Sequence, residues 1–169
     1  MAALEIRIYG DPILRQKAAA IDPIPEDMEE LVEDMFETMQ AANGIGLAAP
    51  QIGEAISLCV VDVGLIEDGR EPEAFINPEI LEEYGDDAAM EEGCLSIPGL
   101  AEDVTRKEAI RLAYQSLDGK RHELECDGLL ARVLQHEIDH LHGILFVDRL
   151  GSFKRRLMNK KLRQLFLKK

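Results

Sequence analysis

Apolar residues recur at helical spacing over residues 26–42. Met28, Leu31, Val32, Met35 and Met39 fall on one stripe with acidic residues between them, the pattern of a helix burying one face. Pro25 stands at its start and Asn43-Gly44 at its end, both ordinary helix punctuation. The run ISLCVVDV (56–63) is short, apolar and β-branched, and predicts a buried strand. EAFINPEIL and RKEAIRLAYQSLDGKRHELEC alternate and predict further strands. Leu117-Asp118-Gly119-Lys120 predicts a hairpin turn, because Asp-Gly suits positive φ. A second helix is expected from about Gly128 to His142, with Asp127 as its N-cap and Gly143 as its stop, and a third, basic helix over about 152–167. Strands in the middle with helices around them predict an α+β fold rather than alternating βαβ units. No repeat, linker or internal boundary divides the chain.

Composition narrows the function classes. A chain of 169 residues buries a core without needing disulfides or a structural metal. No apolar run approaches the ~20 residues of a membrane span. The opening MAALEIRIYG carries Glu5 and Arg7 and lacks a long apolar segment, unlike a secretory signal. A soluble cytoplasmic protein with no membrane partner is expected. The formal charge of −14 is uneven: residues 151–169 hold eight Lys or Arg and no acid, leaving the first 150 residues at −22. The body should repel nucleic acid; the tail could attract it or simply form a solvated helix face. Three cysteines, Cys59, Cys94 and Cys126, argue against a disulfide framework. Cys59 reads as a small buried hydrophobe, whereas Cys94 lies in the more unusual EEGCLSIPG.

The segment NGIGLAAPQIG (43–53) contains a G-x-G-x-x-A match to a dinucleotide-binding turn. That turn follows a strand and opens a helix. Here a helix precedes Gly44, a strand follows Gly53, and Pro50 interrupts any new helix. The phosphate-binding reading is therefore rejected.

The second helix carries QHEIDHLHG. His136 and His140, four residues apart, project from one helix face and could reach a single metal ion. Glu137 completes an H-E-x-x-H pattern, placing a carboxylate beside the ion without making it a ligand. A catalytic metal usually has three protein ligands and an open position. The third ligand is not adjacent: position 146 is Phe146, no Glu follows Glu137, and His142 points to another face. His122 remains in play within a charged hairpin. Cys94 is the better choice, since a thiolate suits soft or borderline metals and Gly93 would permit close backbone approach. From HEIDH alone, a general zinc metallopeptidase is an alternative. The basic tail alone suggests a non-catalytic nucleic-acid- or ribosome-binding module.

Three segments, GIGLAAPQ (44–51), EGCLS (92–96) and QHEIDH (135–140), together resemble the motifs of the peptide deformylase family, in order and suitably spaced. IRIYGDPILRQKA also resembles the family's N-terminal region, so the resemblance covers at least residues 5–150. It implies a compact domain with antiparallel strands around a central H-E-x-x-H helix. Residues 1–150 would form the catalytic domain, with the basic helix of 151–169 part of the same domain. The implied activity is removal of the formyl group from the N-terminal formyl-methionine of new proteins, releasing formate.

By the same resemblance, Cys94, His136 and His140 would hold one divalent metal ion. Fe(II) is favoured, with Zn, Ni or Co able to replace it. Glu137 would be the general base and acid. The Gln51 side chain and the Leu95 backbone N–H would stabilise the oxyanion. Ile45 and Gly46 would offer main-chain hydrogen bonds to substrate, Leu129 and Val133 an apolar pocket for methionine. Ala48 and Ala49 would pack the loop against the metal helix. Glu92 and Asp139 are candidates to support the ligands from outside. The implied partners are N-formyl-methionyl nascent peptides and, through the basic C-terminal helix, the ribosome. Three positions depart from some members of the family. Pro50 replaces a Thr, Ala101 stands where an arginine would contact the substrate backbone, and Arg132 replaces an apolar pocket residue. Arg132 is expected to extend its charge to the pocket rim.

Overall fold

A computed structural model describes residues 3–168. Met1, Ala2 and Lys169, the last a member of the basic tail, lie outside the described residues. The architecture is α+β, as the alternation and helical stripes predict. Helix α1 (Met28–Ala41) precedes five strands, β1 (Gly46–Ala48), β2 (Leu58–Val61), β3 (Glu73–Cys94), β4 (Ile97–Gln115) and β5 (Arg121–Asp127). Helices α2 (Gly128–Leu141) and α3 (Ser152–Lys168) close the chain. The strands form one antiparallel sheet in sequence order.

β2 explains how the layers assemble. Its residues are buried throughout, and alternate side chains enter different cores. Leu58 and Val60 join Met28, Val32, Met35 and Met39 of α1. Cys59 and Val61 join Phe75, Leu130, Leu134 and Ile138 on the α2 side. A strand covered on both faces must be apolar at every position, not merely at alternate ones. The apolar run is shorter than 56–63: Ile56 makes only an isolated bridge to Ala19, and Val63 starts a 3-10 turn.

β3 and β4 make a long hairpin, with Cys94 paired to Ile97 across the two-residue turn Leu95-Ser96. The structure adds strand where no apolar pattern signals one. Much of 82–93 is acidic and exposed, and register shifts interrupt its pairing, one of them between Tyr84 and Asp87. The β4–β5 turn forms at Ser116–Lys120 as expected, with the Asp118 carboxylate accepting from the Lys120 N–H.

α2 occupies the expected range, but Asp127 is not its side-chain cap. Asp127 is extended, pairs with Ala109 as the last residue of β5, and makes no capping hydrogen bond. Gly128, at φ +60°, makes the reversal from strand into helix, a conformation that L side chains adopt reluctantly. α3 lays Met158 and Leu162 on Leu14, Ile97, Leu145, Phe146 and Val147. Among the described residues, no helix is long and apolar enough to cross a membrane.

Candidate metal centre and catalytic cavity

The two histidines of α2 and the cysteine at the β3–β4 tip converge. His136 and His140 have ring centroids 5.0 Å apart. Cys94 Sγ lies 3.4 Å from His140 Nε2, and one donor atom from each residue falls within 4.8 Å of the others. Both histidines are buried and Cys94 is partly so. Two imidazoles and a soft thiolate form a donor set suited to Fe(II), Co(II), Ni(II) or Zn(II). An open cavity of about 250 Å³ adjoins them, which fits a three-ligand catalytic centre.

A hydrogen bond fixes the orientation of His136, whereas His140 Nδ1 has no partner among the described residues. His136 Nδ1 is 2.9 Å from Glu92 Oε1, leaving Nε2 for the donor cluster, the arrangement usual for ligating histidines. Burial pushes the Glu92 carboxyl pKa up, but hydrogen bonds from His136 and Arg106 outweigh it and hold Glu92 well below the usual carboxylate range. For His136, burial favours the neutral ring; contacts with Cys94 and Glu92 override it and raise its pKa. His140 is driven the other way by burial and by the positive charge of its neighbours. The position of a third zincin histidine is taken by Phe146, whose buried ring stacks 6.1 Å from His136.

Glu137 is buried beside the triad, its Oε2 4.0 Å from His136 Nε2. Its Oε1 has no hydrogen-bond partner among the described residues. Burial, opposed by the positive charge of His136, pushes its carboxyl up to about 7. Gln51 is anchored through Oε1 to the Ala48 N–H at 2.9 Å. Its Nε2 therefore points towards Ser96 Oγ at 3.0 Å and Cys94 Sγ at 3.5 Å.

The cavity brings together Ile45, Gly46, Gln51, Glu92, Cys94, Leu95, Leu129, Arg132, Val133, His136 and Glu137. Of the residues expected to bind the metal, act in catalysis or meet substrate, all but His140 line this one space. The Ile45 carbonyl already accepts from the Asp62 N–H, which occupies one of its two lone pairs. The tight fit occurs at Gly46: a Cβ there would lie 2.7 Å from Glu137 Oε2.

Several expectations need correction. Arg132 does not reach the rim; it is buried and donates to Glu92 and to the Val104 and Ala88 carbonyls. Its fixed fork finds three acceptors inside, which outweigh the pull of water on its charge. Ala48 does pack on the α2 side, but Ala49 belongs to the α1 core. A Cβ on Gly93 would meet nothing nearer than 3.5 Å, so close approach does not require that glycine. His122 is elsewhere, stacked on Tyr114 and bonded to Ser116, and His142 is exposed. Among the described residues the Asp139 side chain bonds neither His136, His140 nor Cys94; it accepts from Arg106 and Arg149.

The sequence reading missed Arg106 and Ser96. Arg106 grips Glu92 through Nε at 2.6 Å and Nη2 at 3.0 Å. Its signal is alternation: Val104 and Arg106 share the inward face of β4, so an arginine stands where a core residue belongs. Ser96 had no such signal beyond its place in EGCLS.

Comparison with known proteins agrees with this geometry. The family model for polypeptide deformylase matches residues 3–156. A peptide deformylase of Salinibacter ruber is 47% identical, covering 96% of this chain and 88% of its own. One of Thermodesulfovibrio yellowstonii is also 47% identical, over 96% and 98% respectively. The crystal structure of peptide deformylase from Thermus thermophilus superposes with a TM-score of 0.91 at 43% identity, covering 99% of this chain and 100% of that one. That of the Synechococcus elongatus enzyme in complex with actinonin gives 0.86 at 42%, covering 98% and 86%. Motif order, the convergence of Cys94, His136 and His140, and similarity over nearly all of the chain thus lead to one conclusion: this chain belongs to the peptide deformylase family, the metal-dependent hydrolases that remove the N-formyl group from newly made polypeptides.

Proposed function

We infer that the catalytic work falls to the residues of this cavity, with N-formyl-methionyl nascent peptides as substrate. Cys94, His136 and His140 would hold the ion. A divalent metal there, Fe(II) by preference and otherwise Zn, Ni or Co, supplies Lewis acidity and lowers the pKa of water. The observation that carries the reading is Glu137: a buried carboxylate beside the three donors, with one oxygen lacking any partner among the described residues.

Glu137 takes the proton from the attacking water and later delivers it to the leaving amine. The Gln51 carboxamide, held by the Ala48 N–H, donates through Nε2 to the oxygen on which charge develops. The Leu95 N–H, on the β3–β4 turn, is the second donor. Pre-aimed donors of this type act without reorganising during the reaction. Leu129 and Val133 form the apolar wall for methionine, and Ile45 and Gly46, on the same cavity, offer main-chain hydrogen bonds to the peptide. Gly46 lies on edge strand β1, where an extended peptide can align as an added strand. A tight fit beside the metal would select the smallest acyl group.

The test offers formyl-Met-Ala and an unformylated internal peptide to anaerobically prepared, metal-loaded protein. Release of formate and a free amine, with the internal bond intact, is expected; peptide-bond cleavage instead would favour a general metallopeptidase.

The assigned location is the cytoplasm. The catalytic domain is assigned to residues 1–150, of which 3–150 are described, and the packing of Met158 and Leu162 supports counting the basic helix as part of it. Exposed Arg156, Lys160, Lys161 and Arg163 on α3 form a ribosome-docking face. Replacing these four with Gln should leave small-peptide turnover unchanged and abolish salt-sensitive ribosome binding. Unchanged or salt-independent binding would refute this role.

A further inference from the structure

The three ligands are divided between two elements. Cys94 comes from the tip of the β3–β4 hairpin, His136 and His140 from α2. Something must fix the hairpin against the helix for the donors to meet. Arg132 lies one helical turn before His136, so both project from the same face of α2. Its guanidinium reaches both strands of the hairpin: Nη2 donates to the Ala88 carbonyl of β3 at 2.7 Å, and Nη1 to the Val104 carbonyl of β4 at 2.7 Å. Nη1 also donates to Glu92 Oε2 at 2.8 Å.

That last bond closes a loop. Glu92 Oε2 accepts from Arg132 and from Arg106 Nε, while Oε1 meets Arg106 Nη2 and His136 Nδ1. Two guanidinium groups thus hold the carboxylate that orients the first histidine ligand. All four side chains are buried, where a carboxylate with fewer partners would be costly and free to turn. From this geometry we propose that Arg132 is a positioning residue of the metal centre: it sets the hairpin-to-helix spacing and, through Glu92, the orientation and tautomer of His136. The assignment rests on Cys94, His136 and His140 being the ligands.

Zinc is the probe, used with the full-length protein. Affinity is measured by competition with a chromophoric chelator, and the His136 tautomer by ¹⁵N NMR of the zinc-loaded state. Arg132→Leu should weaken zinc binding by about tenfold, in the range seen for outer partners of ligating histidines. It should also shift or broaden the His136 Nδ1 signal and lower kcat for formyl-Met-Ala with KM little changed. In a Glu92→Gln background the same substitution should cost less zinc affinity than it does in the wild type, because the route through Glu92 is already broken and only the hairpin-to-helix spacing remains to be lost. If Arg132→Leu does not fold, Arg132→Gln, which keeps an amide donor but loses the charge and the fork, is expected to show the same losses to a smaller degree. Wild-type zinc affinity and a wild-type His136 signal in a folded but less stable variant would overturn the proposal, as would fully additive losses in the double variant. Zinc binding and the NMR signal do not depend on turnover. A zinc-loaded protein that releases no formate therefore contradicts the deformylase reading, not the role of Arg132.

Discussion

Gly46 and Glu137 approach so closely that a Cβ on the glycine would stand 2.7 Å from the glutamate Oε2 and 3.0 Å from its Cδ and Cγ. The edge strand therefore limits the position of the Glu137 carboxylate from one side, while the helix sets it from the other.

Gly46→Ala should displace the Glu137 side chain without touching a metal ligand. A shift of about 1 Å in a catalytic group can cost on the order of 100-fold in rate. The expected outcome is a loss of that order in kcat/KM with metal content unchanged, checked by formyl-peptide kinetics and metal analysis on the same preparation. Wild-type kinetics would show that the carboxylate tolerates the methyl group and that the contact has no catalytic meaning.

Leu129 is 41% exposed yet lines the cavity. Leu129→Ala should therefore separate binding from folding. KM for formyl-Met-Ala should rise roughly tenfold with kcat nearly unchanged, as for loss of an apolar contact made equally in ground and transition states. Thermal stability should scarcely move, since much of the side chain already meets water. A large fall in melting temperature with unaltered KM would assign Leu129 to the core instead.

Asp148 supplies a pH test of the packing around α3. It accepts from Arg15, Arg155 and the Leu145 N–H. Burial pushes its carboxyl up, but the bonds from Arg15, Leu145 and Arg155 outweigh this and leave it below its ordinary value of 3.8. A depressed folded value means stabilisation that is present above the unfolded value and lost as pH falls through the folded one. Asp148→Asn should lower the melting temperature at pH 7 by about 2–4 °C, the shift expected for ~1 kcal/mol in a chain of this size. The gap should narrow below about pH 4, near the unfolded value. A gap that stays constant from pH 7 to pH 3 would remove the carboxylate as its cause.

Much of the fold and site was legible because its signals are periodic or local. The α1 stripe of Met28, Val32, Met35 and Met39 is a helix face, and His136 with His140 needs only one turn of helix to converge. Asp118-Gly119 is a turn by its own chemistry. The unread parts depend on partners distant in sequence. The acidic stretch before Cys94 becomes strand only because β4 pairs with it. Arg132 looked like a rim residue because its acceptors, Ala88, Glu92 and Val104, lie 28 to 44 positions away. Asp127 reads as a helix cap from its neighbours, but pairing with Ala109 fixes its backbone first. Gly46 is expected from the resemblance to offer main-chain hydrogen bonds to substrate; what the sequence does not show is that Glu137 is the nearest obstacle to a Cβ there. The resemblance, rather than spacing, singled out Gln51 and Leu95, whose positions follow from a short turn and a hairpin tip.

Formate release from formyl-Met-Ala, compared between the wild type and Glu137→Ala at equal metal content, tests the central claim most directly. The wild type should release formate and free amine. The variant should keep its metal, since Glu137 is not one of the three proposed ligands, and lose about 10²–10⁴-fold in kcat, the usual contribution of a positioned proton carrier. A fully metal-loaded Glu137→Ala protein that turned over at the wild-type rate would contradict the account.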